Sequence, residues 1–387
     1  MTVTDLPQGM EENTISLLFG HPDPATLLTP ELQQAMQRFI SSPYYTASLQ
    51  YGPEQGTRSL INFLVEKINR EQGLSIEPGN LMVVAGSTHA VDMLSRLYVR
   101  PGGVMLVEAP SYADALHIFR DHQIELYPVP MDEDGLIPNE LERHMAGLQA
   151  SGKIPCMLYT IPNFHNPTGR TLTKARRLEI IELADRYGFL IVEDDVYRDL
   201  FFESAVPDSF YALTNGERVV SIGSFSKTLA PGLRLGWLLG SQEVVQNCVN
   251  CGTTQMGGGA NPFTANIVAE YCRSGDWERH IALVRPLYKM RRDAVLSALD
   301  KYMPPDVRWT YPAGGFFIWL SLPGRVFAQD VKRMALEEGV LVAAGNGFFV
   351  NPADGAHNLR LAFSCASHND IDQGIRILAQ VIQKAKN

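Results

Sequence analysis

The chain has 387 residues, 45% of them hydrophobic and 19% charged, which is ordinary globular composition with enough apolar material for a large domain and a smaller companion. A formal net charge of -9 with no Lys/Arg run argues against nucleic acid as a partner, because binding a phosphate backbone needs clustered cations. No stretch reaches the ~18 apolar residues of a membrane span, the N-terminal "MTVTDLPQGMEEN" lacks the pattern of a secretory leader, and the five cysteines form no disulfide framework, so a reducing cytoplasm is the expected location.

Residues 1–50 are rich in proline and turn formers and are expected to pack on the smaller domain. From residue 51 to 285, short β-rich runs alternate with helical patterns: "LMVVAG" (81–86), "VMLVEAP" (104–110), "CMLYTIP" (156–162), "FLIVEDD" (189–195) and "RVVSIGSFS" (218–226). Between them Ala90, Val91, Leu94, Leu97 and Tyr98, then Ile180, Leu183, Ala184 and Tyr187, recur at helical spacing. This alternation predicts an α/β fold with a mainly parallel sheet. Residues 286–387 read as a smaller α+β domain, with a charged helix from about Arg285 and strands in "GGFFIWLSL", "GVLVAAG" and "NLRLAFS". "CVNC" at 248–251 has the spacing of half a zinc site but no matching second pair, so no metal is expected.

Ligands of such sheets bind beyond the carboxyl ends of the strands. There "AGSTHAVDML" offers Ser87 and Thr88 at a helix start, suited to an anion such as phosphate. "APSYAD" places Tyr112 where a ring could stack on a flat ligand, and "PNFHNPTGR" presents Asn166 from a loop stiffened by two prolines. "VEDDVY" puts Asp194 and Asp195 at the end of an apolar strand, as a cap, a metal ligand or the partner of a buried cation, with Tyr197 behind them. Only Glu108 stands as a carboxylate in the neighbouring strand-end loops, which favours the buried cation. "SFSKTLAPGLRLGW" (224–237) sets Lys227 among Ser224, Ser226 and Arg234, an odd place for a surface lysine.

In this order, these stretches together with "NLRLAFS" resemble the pyridoxal-phosphate-dependent class I/II aminotransferases of fold type I, most of all the branch with 2-aminoadipate and kynurenine aminotransferases. The resemblance runs from about Gly20 to Ser364. It implies a large domain with a sheet of the seven-stranded type and pyridoxal 5'-phosphate held by Lys227 as a Schiff base. It implies Asp194 at the pyridine nitrogen, Asn166 and Tyr197 at the phenolic oxygen, and Tyr112 on the ring face. The phosphate falls to Ser87, Thr88, Ser224, Ser226 and Arg234, with Tyr51 in "LQYGPEQG" reaching across from a second subunit, hence a homodimer. Arg360, with Asn166 and Gly20, falls at the substrate side, where a planar guanidinium suits an α-carboxylate.

The implied activity is ping-pong transfer of an amino group from an L-α-amino acid to a 2-oxo acid such as 2-oxoglutarate. Two departures stand out: Thr88 and His89 replace a pair of glutamines common in the branch, and Val196 a common proline. Met1 to Gln37 contain no Lys or Arg, although relatives favouring acidic side chains can carry an arginine there, so a neutral, aromatic or aliphatic donor is expected. A β-lyase would keep every motif. A transcription regulator with an aminotransferase-like domain is disfavoured, because the pattern begins by Gly20 and leaves no room for a basic winged helix.

Overall fold

Uncharged runs of Val, Leu, Ile and Met can leave neither face in water, so they become interior strands covered by helices on both sides. The computed structural model describes residues 14–386. After β1 (Ile15–Ser16), eight strands form one sheet: β2 (Leu81–Val84), β3 (Val104–Ala109), β4 (Glu125–Asp132), β5 (Gly135–Leu136), β6 (Pro155–Thr160), β7 (Leu190–Asp194), β8 (Val219–Ser224) and β9 (Gly236–Leu239). Their order is β2-β9-β8-β7-β6-β3-β4-β5. β4, β3, β6, β7 and β8 run parallel, whereas β9 is antiparallel to both neighbours and β5 folds back on β4. The expected mainly parallel sheet is therefore present, with the two-residue β5 as an added edge.

Strand order reverses between β3 and β6, so the loops after β3, β6, β7 and β8 open onto a common crevice. β4 escaped the sequence pattern because Pro128 and Pro130 interrupt it. Both prolines put their missing N–H on the open side of the strand, the side from which the Pro130 carbonyl accepts Ile137 N–H at 3.0 Å.

The second sheet is antiparallel and contains β10 (Arg308–Trp309), β11 (Phe317–Ser321), β13 (Ala343–Ala344) and β14 (Asn358–Ala362) in the order β10-β11-β14-β13. β12 (Val340–Leu341) pairs instead with β1, Ile15 opposite Val340. The Leu17 carbonyl then accepts Ala362 N–H at 2.8 Å, and Asp23 meets Arg291 at 2.5 Å. Residues 15–23 are thus a strap fixed at both ends, with the first 13 residues outside the described part. The expected boundary at 285/286 falls inside one helix, Asp276–Tyr302, which packs on the C-terminal helix His368–Lys384. No helix among the described residues is long and apolar enough to cross a membrane.

β8 and β9 approach β2 and its following turn so closely that only glycine fits at their crossing. A Cβ on Gly236 would lie 2.6 Å from the Gly223 carbonyl oxygen and 3.1 Å from Ser87 N, all backbone atoms that cannot step aside. Gly236→Ala should lower the unfolding free energy by about 1–3 kcal/mol, read from denaturant titration of the purified protein.

Candidate active site

Lys227 lies in the turn after β8 and points its amine into the crevice, where Nζ donates to the Gly20 carbonyl on the strap at 3.0 Å. Burial, reinforced by the positive charge of Arg360, lowers its pKa to about 8, with Asp194 pulling the other way. A larger share of neutral amine is therefore present near pH 8 than on a surface lysine. The ring of Tyr197 sits 6.0 Å from Nζ.

Asp194 ends β7 and is 5% exposed. Its Oδ2 accepts the Tyr159 hydroxyl at 2.7 Å, while Oδ1 is buried with no partner. Burial pushes its pKa up to about 6, with Asp195 and Glu108 adding to the rise and Tyr159 and Lys227 opposing it. A buried carboxylate oxygen without a donor is costly, and a protonated ring nitrogen would satisfy it. Asp195 turns elsewhere, accepting from Asn163 at 2.6 Å and pairing with Arg198 at 3.1 Å. Asn163 in turn accepts from the buried Arg177 at 2.7 Å, so the two adjacent acids divide between the crevice and the bracing of the asparagine loop.

Asn166 comes from that loop, and its Oδ1 accepts from Arg360 Nη1 at 2.9 Å. Arg360 projects from β14 between the rings of Phe317 and Phe348, 4.4 and 4.8 Å from their centres, and its Nη2 donates to the Leu18 carbonyl at 2.7 Å. Burial brings its pKa down to about 10, which leaves it cationic at neutral pH. Tyr197 is buried and its hydroxyl is held neutral, first by burial, with Asp194 adding and Arg360 opposing. Tyr112, just before the helix Ala113–Asp121, donates to Asp114 at 2.7 Å and is raised by burial and by that carboxylate.

The other end of the crevice suits a phosphate. The helix Ser87–Tyr98 begins without a side-chain cap; His89 N–H donates to the Gly86 carbonyl at 3.1 Å, and the N–H groups of Ser87 and the exposed Thr88 lie at the open start of the helix. Gly86 before it has φ of 84°, and the Arg234 guanidinium lies where its side chain would be, with Nη2 2.7 Å from a Cβ placed there. Ser224 Oγ accepts the Ser226 N–H at 3.0 Å. His89 turns away, its Nδ1 accepting Ala85 N–H at 3.2 Å, and burial lowers its pKa.

The structure thus brings Lys227, Asp194, Tyr197, Tyr112, Asn166, Arg360 and Gly20 around one space, with Ser87, Thr88, Ser224, Ser226 and Arg234 at its phosphate end. Tyr51 is not among them: it is 86% exposed and lines a surface cavity of about 890 Å³ with Leu49, Met256 and Asn261. Sequence reasoning missed Tyr159, Phe317, Phe348 and Gly86. The aromatic residues sit in apolar strands or runs and look like core; only the positive φ required of a strand-to-helix glycine could have flagged Gly86. The residues present fit pyridoxal phosphate: an enclosed amine, an unpaired buried carboxylate oxygen and an arginine over open helix N–H groups.

Below about pH 8 the folded chain keeps a proton on a buried amine, whereas the unfolded chain holds that proton up to the ordinary 10.5, so the charged amine costs stability that returns as pH rises between these values. Lys227→Met in the apo-protein should therefore raise the unfolding free energy by about 1–2 kcal/mol at pH 7. Denaturant titrations at a series of pH values should show the gap closing towards pH 10.5.

Comparison with known proteins agrees with this geometry. The family described as Aminotransferase class I and II matches residues 17–378. Aromatic-amino-acid aminotransferase 1 of Thermococcus litoralis is 33% identical over 96% of this chain and 88% of its own, and the 2-aminoadipate transaminase of Thermus thermophilus is 32% identical over 95% and 90%. The kynurenine aminotransferase of Pyrococcus horikoshii, solved in complex with PMP, superposes with a TM-score of 0.92 at 33% identity, covering 96% of this chain and 91% of that one. The chain belongs to the class I and II aminotransferases of fold type I, and is a transaminase that works with pyridoxal phosphate.

Proposed function

We propose that the protein moves the amino group of a neutral, aromatic or aliphatic L-α-amino acid to a 2-oxo acid such as 2-oxoglutarate, in two half-reactions at Lys227. The observation that carries this reading is the pairing, in one crevice, of the Lys227 amine with the unpaired Oδ1 of Asp194, opposite a cationic Arg360. When bound, pyridoxal phosphate supplies an aldehyde that exchanges amines and a ring that accepts the electron pair left on the substrate Cα. Asp194 Oδ1 holds the proton on the ring nitrogen, which keeps that ring electron-poor. Tyr197 and Asn166 hydrogen bond the phenolic oxygen, and Tyr112 covers the ring face.

Ser87, Thr88, Ser224, Ser226 and Arg234 hold the phosphate. Arg360 binds the substrate α-carboxylate and so orients the Cα–H bond towards Lys227. As a free amine, Lys227 Nζ would take that proton and could deliver it to the cofactor's C4′ carbon, on the far side of the transferred nitrogen. The strap, with the Gly20 carbonyl facing Lys227, keeps bulk water off the amine.

The choice of a neutral donor is supported by the strap itself. His21 is the first ionisable side chain of the described residues, and burial with the charges of Lys227 and Arg360 lowers its pKa, which disfavours a counter-charge for a distal carboxylate there. A homodimer is supported by Leu49, Tyr51 and Met256, large apolar side chains exposed around one cavity. In that assembly Tyr51 of each subunit completes the phosphate grip of the other.

The purified protein should show an absorbance band near the visible edge that disappears on adding an amino acid and is absent in Lys227→Ala. Asp194→Ala should lower kcat by roughly 100-fold or more, and Arg360→Ala should act mainly on KM for the donor. Initial rates with leucine, phenylalanine, 2-aminoadipate and glutamate test the donor class; a strong preference for the last two would refute it.

A further inference from the structure

Glu108 is the last but one residue of β3, is 1% exposed, and has no part in the steps above. Its Oε1 accepts the Thr160 hydroxyl at 2.7 Å and its Oε2 accepts Ile161 N–H at 2.9 Å. His165 Nε2, equally buried, stands 3.1 Å from the same Oε2, close enough for attraction but off the line of a full hydrogen bond. On its other side, His165 Nδ1 lies 2.9 Å from Thr168 Oγ1 and accepts Thr168 N–H at 3.4 Å. A ring nitrogen that accepts from a backbone N–H carries no proton, so the proton sits on Nε2 and faces the carboxylate.

His165 also closes the loop through its backbone. Its N–H donates to the Arg170 carbonyl at 2.8 Å and its carbonyl accepts Gly169 N–H at 2.6 Å. The backbone and Nδ1 of this residue are therefore turned to fixing residues 165–170, and the next residue along is Asn166. A fully buried carboxylate is an expensive anchor for a turn, and the imidazole beside it adds a second buried polar group. The expense is understandable where a carboxamide must meet two partners at once, Arg360 on its oxygen and the cofactor on its nitrogen.

We infer that Glu108 and His165 are positioning residues: Glu108 orients the His165 ring, and that ring sets the Asn166 carboxamide between Arg360 and the cofactor's phenolic oxygen. The inference rests on the site reading under Proposed function. Glutamine at 165 can accept from Thr168 with its oxygen and donate to Glu108 with its nitrogen; leucine fills the space and can do neither.

The test uses the holoenzymes of the parent, His165→Leu, His165→Gln and Thr168→Val, with three readouts: the absorbance maximum of the cofactor band, the dissociation constant of pyridoxal phosphate for the apo-protein, and donor KM and kcat. His165→Leu should move the absorbance maximum, weaken pyridoxal phosphate binding, and lower kcat/KM by roughly 10- to 100-fold, partly through KM. His165→Gln should regain most of each. A folded His165→Leu with the parent's maximum and kcat/KM would overturn the inference, as would a His165→Gln no better than His165→Leu. If the leucine variant does not fold, Thr168→Val should show the same shifts in smaller measure, and their absence overturns the inference equally. The parent's Lys227-dependent band is read first. Its absence would overturn the site reading and this role with it, whereas its presence with an unchanged His165→Leu spectrum overturns the role alone.

Discussion

Lys227, Arg360 and the Asp194 carboxylate share one enclosed end of the crevice, and the architecture around it keeps them apart. Lys227 and Arg360 repel, which is part of why the amine gives up its proton near pH 8. Asp194 would quench that repulsion if it were free to pair with either cation. It is instead held at the end of β7 by the Tyr159 hydroxyl, on a buried strand paired on both sides with β6 and β8. The parallel sheet supplies this rigidity: the carboxyl ends of β3, β6, β7 and β8 are fixed relative to one another, and each contributes a residue to the site or its support.

The two sheets contribute differently. The large one presents the amine, the ring-facing acid and the phosphate end, whereas the small one presents Arg360 from β14. The strap belongs to both, since it pairs with β12, feeds a carbonyl to Arg360 and another to Lys227, and anchors on the long helix through Asp23. Any movement of Arg360 relative to Lys227 must therefore be felt by residues 15–23, which couples the guanidinium to the amine through backbone carbonyls rather than through side chains.

Much of this was legible in the sequence because the chemistry is carried by a few residue types at strand ends. Lys227 in a Ser/Gly/Pro stretch, Asp194 after an apolar strand and Asn166 in a proline-stiffened loop each violate what their neighbours would predict, and such violations are readable. Tyr159, Phe317 and Phe348 violate nothing; in an apolar strand an aromatic residue is core until a partner is seen. The β4 strand was hidden by its prolines, and the helix from Asp276 to Tyr302 by the change in texture near Arg285, where Pro286 sits inside a continuous helix without ending it. Periodicity alone left Asp194 and Asp195 equivalent, and it was the family resemblance that named Asp194 for the ring nitrogen; the bracing role of Asp195 towards Asn163 and Arg198 went unread, because it depends on partners distant in the chain.

Arg360 is already engaged before any substrate arrives, donating to the Leu18 carbonyl and to Asn166 while two rings hold its plane. Under the proposed role of Arg360, a substrate carboxylate would replace neutral oxygens, so recognition would be an exchange of acceptors rather than an addition to an idle charge. A charged acceptor forms the stronger hydrogen bond and wins that exchange, whereas an amide or ester oxygen offers little more than the carbonyl it would displace. On that proposal, discrimination between a free amino acid and the same residue inside a peptide would come from competition for one guanidinium.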